Sequence, residues 1–153
     1  MNGRRGFTMV ELLIVVCIIG LLAGFALPRL ARAKARAQAA EAVGAMHAIQ
    51  LGVTVFYESA GGWPPEGSPG VMPSELAGYL PHRNTFTGTG WVLNWRQLSV
   101  AQGAVTTQVG ALELTAVDPN ICPAVSNLLG GPSEAVSVLC GPTSGTVTQL
   151  IER

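Results

Sequence analysis

The N-terminal region contains an apolar run from Phe7 to Leu27, 21 residues long, with one carboxylate, Glu11, inside it. About 20 helical residues, each rising about 1.5 Å, cross the hydrocarbon core of a bilayer, so the run is long enough to span a membrane. A carboxylate at the centre of such a helix costs roughly 2.5–3.5 kcal/mol, although Glu11 lies near the helix start and can reach the interface. The sequence leaves two explanations for Glu11: a snorkelling or protonated side chain without a role, or a functional group.

The charges that flank this run do not settle its orientation. Arg4 and Arg5 precede it, and four cations follow it: Arg29, Arg32, Lys34 and Arg36. Since positive charge marks the cytoplasmic side of a span and both flanks are positive, the bias is ambiguous. A secretory signal peptide has an apolar core of about 7 to 15 residues. The run here is longer and leads directly into a helical pattern, which favours its retention in the mature chain.

Composition and charge exclude several classes of protein. With 153 residues the chain has room for one modest domain and an accessory segment, so a two-domain enzyme is not expected. The charged fraction is 12%, about half of the roughly 25% typical of soluble domains. Beyond Ala37 the chain has three basic residues and eight acids, a net charge of −5. An acidic body of this kind is a poor binder of nucleic acid.

The helical pattern continues beyond the apolar run and predicts one helix from Phe7 to Ser59, roughly 80 Å long if straight. Pro28 lies inside it and disfavours helix at Leu27, so we expect either a soft point there or the end of the span. Gly61 and Gly62 end the helix. Its second half carries an apolar stripe at steps of three and four: Ala42, Met46, Ile49, Val53 and Phe56.

The remainder predicts a small β-rich head. Residues 61–89 are rich in proline and glycine and predict a loop with a short helical turn around Ser74 to Tyr79. Three later segments alternate or partly alternate and predict strands: 91–96, 111–117 and 145–153. The fold class is therefore α+β, with a long N-terminal helix packed on a small antiparallel sheet.

A short helix is predicted between the last two of these strands. Asp118 caps it, Pro119 takes its first position, and Gly130-Gly131-Pro132 stops it. Its expected apolar face consists of Ile121, Val125, Leu128 and Leu129. The three tryptophans, Trp63, Trp91 and Trp95, are expected to pack in the core or an interface rather than to form a stacking platform for sugars or bases.

No group of residues predicts catalysis, and no cofactor or metal is expected. His47 and His82 are the two histidines, and neither has a second His or Cys at metal-binding spacing. The G-x-S-x-G motif and the Walker loop are both missing from the sequence. An enzyme would need a site built from distant residues, such as His82 with Glu75 or Asp118.

The stretch "RRGFTMVELLIVVCIIGLLAGFALP" resembles the N-terminus of type IV pilins and of type II secretion pseudopilins. The resemblance implies that residues 1–6 are a leader, which a prepilin peptidase removes after Gly6 before it methylates the new amine of Phe7. It also implies that the apolar helix stays in place with the head outside. Glu11 then pairs with the N-terminal amine of a neighbouring subunit and sets the register of assembly.

Further expectations follow from the same resemblance. The segment from Gly20 to Pro28 can melt when a subunit enters a pilus, and the head, residues 61–153, follows a helix spanning 7–60. Cys122 and Cys140 lie in the exported part, where a disulfide is expected, with two free thiols as the alternative. The acidic calcium loop of major pseudopilins has no clear counterpart here, so no calcium site is assigned.

The expected function is that of a structural subunit of a type IV pilus or of a type II secretion pseudopilus. Before assembly it is a single-pass protein of the inner membrane, and its partners are other pilin subunits, the prepilin peptidase, an inner-membrane assembly platform and lipid. The alternative is a membrane-tethered or filament-tip module that binds a surface, a sugar or DNA. The cations from Arg29 to Arg36 have three open explanations: a solvated face, contact with anionic lipid, or contact with acidic heads of adjacent subunits.

Overall fold

The structure, a computed structural model, describes residues 7–81, 86–102, 105–133, 135–142 and 144–151. The chain divides into two compact units, Met1–Lys34 and Ala35–Arg153. Helix α1, Met9–Ala60, contributes residues to both units and confirms the predicted long helix. The other elements are a 3₁₀ helix, Ser74–Gly78, followed by β1 (Thr87–Gly88), β2 (Trp91–Gln102), β3 (Val105–Ala116), α2 (Ile121–Leu128), β4 (Val136–Cys140) and β5 (Gly145–Ile151).

In the first unit, every described residue from 7 to 34 is exposed. An 18-residue window of this part of α1 has a mean hydropathy of 2.8 and is 0% buried within the chain, so α1 is long and apolar enough to cross a membrane. The helix does not end at Leu27 but continues through Pro28. Since proline has no backbone N–H, the carbonyl of Gly24 lacks its usual helical donor at this point.

In the second unit, one face of α1 packs into the head. The predicted stripe is confirmed, because four of its five members are fully buried and Phe56 packs partly buried against the same core. The helix ends at Gly61, whose φ of 73° is readily adopted only by glycine. The Gly61 amide donates to the carbonyl of Tyr57 at 2.9 Å and closes the last turn.

The sheet is antiparallel throughout, with strand order β1-β2-β3-β5-β4. Strands β2 and β3 pair over their full length, from Trp91 opposite Ala116 to Gln102 opposite Val105. Alternate residues turn inward, as their predicted alternation requires. The inward side chains of β2, β3 and β5 form the sheet side of the core: Trp91, Leu93, Trp95, Leu112, Leu114 and Val147.

Two strands were missed by the sequence pattern. β1 has two residues within the segment predicted to be loop, and β4 has five residues between α2 and β5. β4 pairs with β5 and forms one edge of the sheet. Only Val136 of β4 is buried, so β4 lacks the regular alternation of buried and exposed residues that would identify a strand.

The prediction for the start of α2 was wrong in detail. Asn120, not Asp118, is the N-cap residue, and no side chain caps the helix. The Asp118 carboxylate instead accepts the backbone N–H of Asn120 at 2.8 Å, as in an Asx turn that leads into the helix. Ile121 and Val125 are buried as expected, but Leu128 is 54% exposed. Gly131 ends α2 by donating its N–H to the carbonyl of Ser126 at 2.8 Å.

The loop after α1 is fixed beneath the sheet by two tryptophans. The Trp95 indole N–H donates to the carbonyl of Pro64 at 3.0 Å, and that of Trp63 donates to the carbonyl of Gln108 at 3.1 Å. The two rings lie 5.8 Å apart. Trp91 and Trp95 are buried and Trp63 is partly buried, so the prediction of packing roles is confirmed. Neither Trp91 nor Trp95 is accessible for stacking on a ligand.

Candidate assembly site at the start of the long helix

The first turn of α1 is closed by a reciprocal pair of side chains, Thr8 and Glu11. The Glu11 carboxylate oxygen Oε2 accepts the backbone N–H of Thr8 at 3.1 Å and its hydroxyl at 3.0 Å. In return, the Thr8 hydroxyl oxygen accepts the backbone N–H of Glu11 at 3.2 Å. This is a capping box, in which an N-cap threonine and a glutamate three residues later satisfy backbone donors that the helix leaves open.

The capping box holds the Glu11 carboxylate in place but uses only one of its two oxygen atoms. Both contacts use Oε2, and among the described residues no donor reaches Oε1. Glu11 is exposed, and its negative charge lies at the positive end of the helix dipole. The structure therefore presents a carboxylate with one bound and one open oxygen at the start of an apolar helix.

The sequence signal for this box is Thr-x-x-Glu, and residues 8–11 carry it. From the sequence, Glu11 was interpreted as an intramembrane charge and as the partner of a neighbouring amine, and this local contact was not predicted. The box uses the N–H of Thr8 and not that of Phe7. A chain cut between Gly6 and Phe7 therefore retains every atom that forms it.

The predicted cleavage residues are only partly described. Phe7 is 76% exposed and directly precedes Thr8. Gly6 lies outside the described residues. A free amine at Phe7 would lie one residue before the capping box, near but not inside it.

The predicted melting segment is helical in this structure. A Cβ added at Gly20 or Gly24 would meet no atom within 4 Å, so no contact within the described chain requires glycine there. Both glycines weaken the helix by roughly 1 kcal/mol each relative to alanine, and Pro28 removes one backbone hydrogen bond. Melting of this segment stays a prediction.

A family model matches the same region of the chain. The family described as "Prokaryotic N-terminal methylation motif" matches residues 1–27. Over 78 residues the chain is 41% identical to the Type IV major pilin protein PilE1 of Neisseria gonorrhoeae, covering 49% of this chain and 47% of the relative. It is 38% identical over 77 residues to the Type IV major fimbrial protein FimA of Dichelobacter nodosus, covering 49% and 48%.

The chain is thus similar in sequence to type IV pilins over part of its length. A fimbrial protein of Neisseria meningitidis serogroup A is 42% identical over 72 residues, covering 46% of this chain and 42% of the relative. The chain thus spans less than half the length of these curated relatives. No solved structure matches at the same level of significance.

The expected disulfide is present. Cys122 in α2 is bonded to Cys140 at the end of β4, with Cα atoms 5.8 Å apart and a separation of 18 positions in the sequence. Cys122 is fully buried, whereas Cys140 is exposed. Gly145 of β5 lies against the bridge, because a Cβ there would overlap both the Sγ and the Cβ of Cys122.

The remaining candidate residues that the structure describes do not form a site. His47 is exposed on α1, and His82 lies outside the described residues. Among the residues that the structure describes, no three His, Cys, Asp or Glu side chains are grouped to hold a metal ion. Cys17 is exposed and not disulfide-bonded.

Proposed function

We propose that the chain is a structural subunit of a type IV pilus-like filament. A subunit of this kind is held in a membrane by the run Phe7–Leu27 and is then assembled through the same helix. The support is the combination of an apolar helix with no buried residue from 7 to 34 and a separate packed head. The names of the relatives, type IV major pilin and fimbrial protein, favour a pilus over a secretion pseudopilus.

The first step of the proposal is maturation. A prepilin peptidase removes residues 1–6 between Gly6 and Phe7, and the new amine of Phe7 is methylated. The N-terminal methylation motif over residues 1–27 supports this step. The mature chain then consists of the helix, 7–60, and the head, 61–153.

The second step is recognition between subunits. The Glu11 carboxylate of one subunit pairs with the Phe7 amine of its neighbour, and the open Oε1 atom accepts from that amine. Opposite charges attract several times more strongly at a protein-like dielectric than in water, so a water-poor helix bundle strengthens this pair. A buried charge without a partner is costly, so a subunit that binds in the wrong axial register, with this pair unmade, is destabilised.

The third step is transfer from membrane to filament. Before assembly, the subunit lies in the inner membrane beside an assembly platform. Afterwards its helix lies in the filament and its head outside. Melting between Gly20 and Pro28 would allow the helix to adapt to its new neighbours.

The observation that carries the proposal is the exposed Glu11 carboxylate, held by Thr8 on a helix with an unpartnered apolar surface. The test is Glu11→Ala in the native host, with Glu41→Ala as the matched control, since Glu41 is also an exposed carboxylate on α1. We expect Glu11→Ala to keep leader cleavage and to abolish incorporation into sheared filaments. Normal filament yield from Glu11→Ala, or equal loss from both variants, would contradict the assigned role.

A further inference from the structure

Three cations follow the apolar run within the first unit: Arg29, Arg32 and Lys34. All three are exposed, and none makes an ion pair with another described residue. Between Glu11 and Glu41 the sequence contains no acid that could neutralise them. The charges are therefore available to a partner outside the chain.

Their distance from the apolar run favours a lipid headgroup as that partner. At about 1.5 Å per helical residue, Arg29, Arg32 and Lys34 lie about 3, 7.5 and 10.5 Å beyond Leu27. The headgroup layer on each side of a bilayer is about 5–8 Å thick, which places Arg29 and Arg32 at its level. Lys34 reaches the same level because its long apolar stem allows the ammonium group to turn back toward the interface.

The distribution of the charges around the helix supports the same partner. Lys34 lies about 140° around the axis from Arg29, whereas Arg32 lies about 60° from Arg29 on the other side. A single protein surface would meet only part of this arc. Lipid headgroups surround the helix and can meet all three side chains.

An open apolar groove adjoins Arg29. It is shallow and largely open to solvent, and side chains of α1 between Leu22 and Ala33 line it, Arg29 among them. In the proposed membrane-inserted state, its side chains up to Leu27 would lie at the level of the hydrocarbon, and Arg29 would lie about 3 Å beyond Leu27. An acyl chain in the groove and a phosphate at Arg29 match the two ends of one phospholipid.

We propose that Arg29, Arg32 and Lys34 bind the phosphate groups of anionic phospholipids in the leaflet at the C-terminal end of the apolar run. This inference rests on the membrane-inserted state of the proposed function, but not on filament assembly. Because the contacts exist only while the helix lies in the bilayer, they set its depth and oppose its withdrawal. Assembly into a filament must exchange them for other contacts.

The test uses the full chain in nanodiscs that contain equal amounts of phosphatidylcholine and phosphatidylglycerol. Native mass spectrometry counts the lipids of each class that stay bound to the released protein. The variant is R29Q/R32Q/K34Q. The matched control, R83Q/R96Q/R153Q, removes the same charge from the head and leaves Arg4 and Arg5 in place in both proteins.

We expect the unmodified chain and the head control to retain phosphatidylglycerol preferentially, and the variant to lose that preference. A single substitution, Arg29→Gln, should lower the ratio of bound phosphatidylglycerol to bound phosphatidylcholine about fivefold. This factor corresponds to about 1 kcal/mol per cation near an anionic surface. Raising the salt from about 0.15 M to 1 M should weaken the preference, because the screening length falls from about 8 to 3 Å.

Four results would overturn the proposal. Equal phosphatidylglycerol preference in the variant and the unmodified chain would show that these cations are not its source. Unchanged lipid preference combined with weaker self-association of the variant would assign the cations to the acidic heads of other copies instead. If the unmodified chain inserts but shows no lipid preference, this inference alone fails. If the chain does not insert, the proposed membrane state fails with it.

Discussion

Loss of the Cys122–Cys140 bridge should destabilise the head measurably. The cysteines are 18 residues apart, so in the chain-entropy model the closed loop contributes roughly 3 kcal/mol. For a domain of this size, 1 kcal/mol corresponds to roughly 4–8 °C in Tm, so loss of the bridge should lower Tm by about 12–24 °C. The bridge joins α2 to the edge strand β4, and both elements contribute to the core, so the effect should extend to the whole head.

The assay is thermal unfolding of the full chain in detergent, followed by near-ultraviolet circular dichroism of the buried tryptophans. It should be done in a Cys17→Ala background, so that the added reductant acts only on the bridge. The double variant Cys122→Ala/Cys140→Ala tests the same loss without reductant. A midpoint that stays the same under reduction and in the double variant would refute the reasoning that the bridge stabilises the head.

Three further substitutions test separate parts of the structure. Gly145→Ala should slow formation of the bridge and cost about 1–3 kcal/mol by overpacking, measured by free-thiol titration and thermal unfolding; normal oxidation would contradict the close packing. Thr8→Val should destabilise the first turn by about 1 kcal/mol while Thr8→Ser does not, measured by amide exchange in micelles; equal protection in both variants would argue against the capping box. Ile49→Ala should cost about 2–5 kcal/mol in urea unfolding, whereas Leu51→Ala, at an exposed site, should change stability by less than about 0.5 kcal/mol; similar losses would contradict the packed face.

The parts of the fold with a long periodic signal could be predicted from the sequence. The stripe on α1 repeats over several turns, and each inward residue of β2 has an inward partner on β3. In both cases the hydrophobic period matches the geometry of the element and many residues agree. The local sequence pattern and the tertiary packing therefore agree on which residues of α1, β2 and β3 are buried.

The parts that could not be predicted depend on neighbours. β4 has five residues, and its position at the sheet edge comes from pairing with β5 and from the bridge at Cys140. Leu128 lies seven residues after Ile121 and so on the same side of α2, but at the end of this short helix it remains exposed. The sequence of a short helix does not show how far along the helix the rest of the head covers its apolar face.

The candidate site illustrates a different limit. The motif around Glu11 was recognised because its residue types and spacing resemble a known family. The contact between Thr8 and Glu11 is local and could have been predicted from Thr-x-x-Glu alone. The partner that we propose for the open carboxylate oxygen belongs to another molecule, so neither the sequence nor the structure of one chain contains it.

The most direct test of the central claim is the intact mass of the protein, purified from the native host membrane and from sheared surface filaments. The account predicts a chain that begins at methylated Phe7, retains the helix and occurs in the filament fraction. A chain that retains residues 1–6, or one cut beyond Leu27, would contradict it.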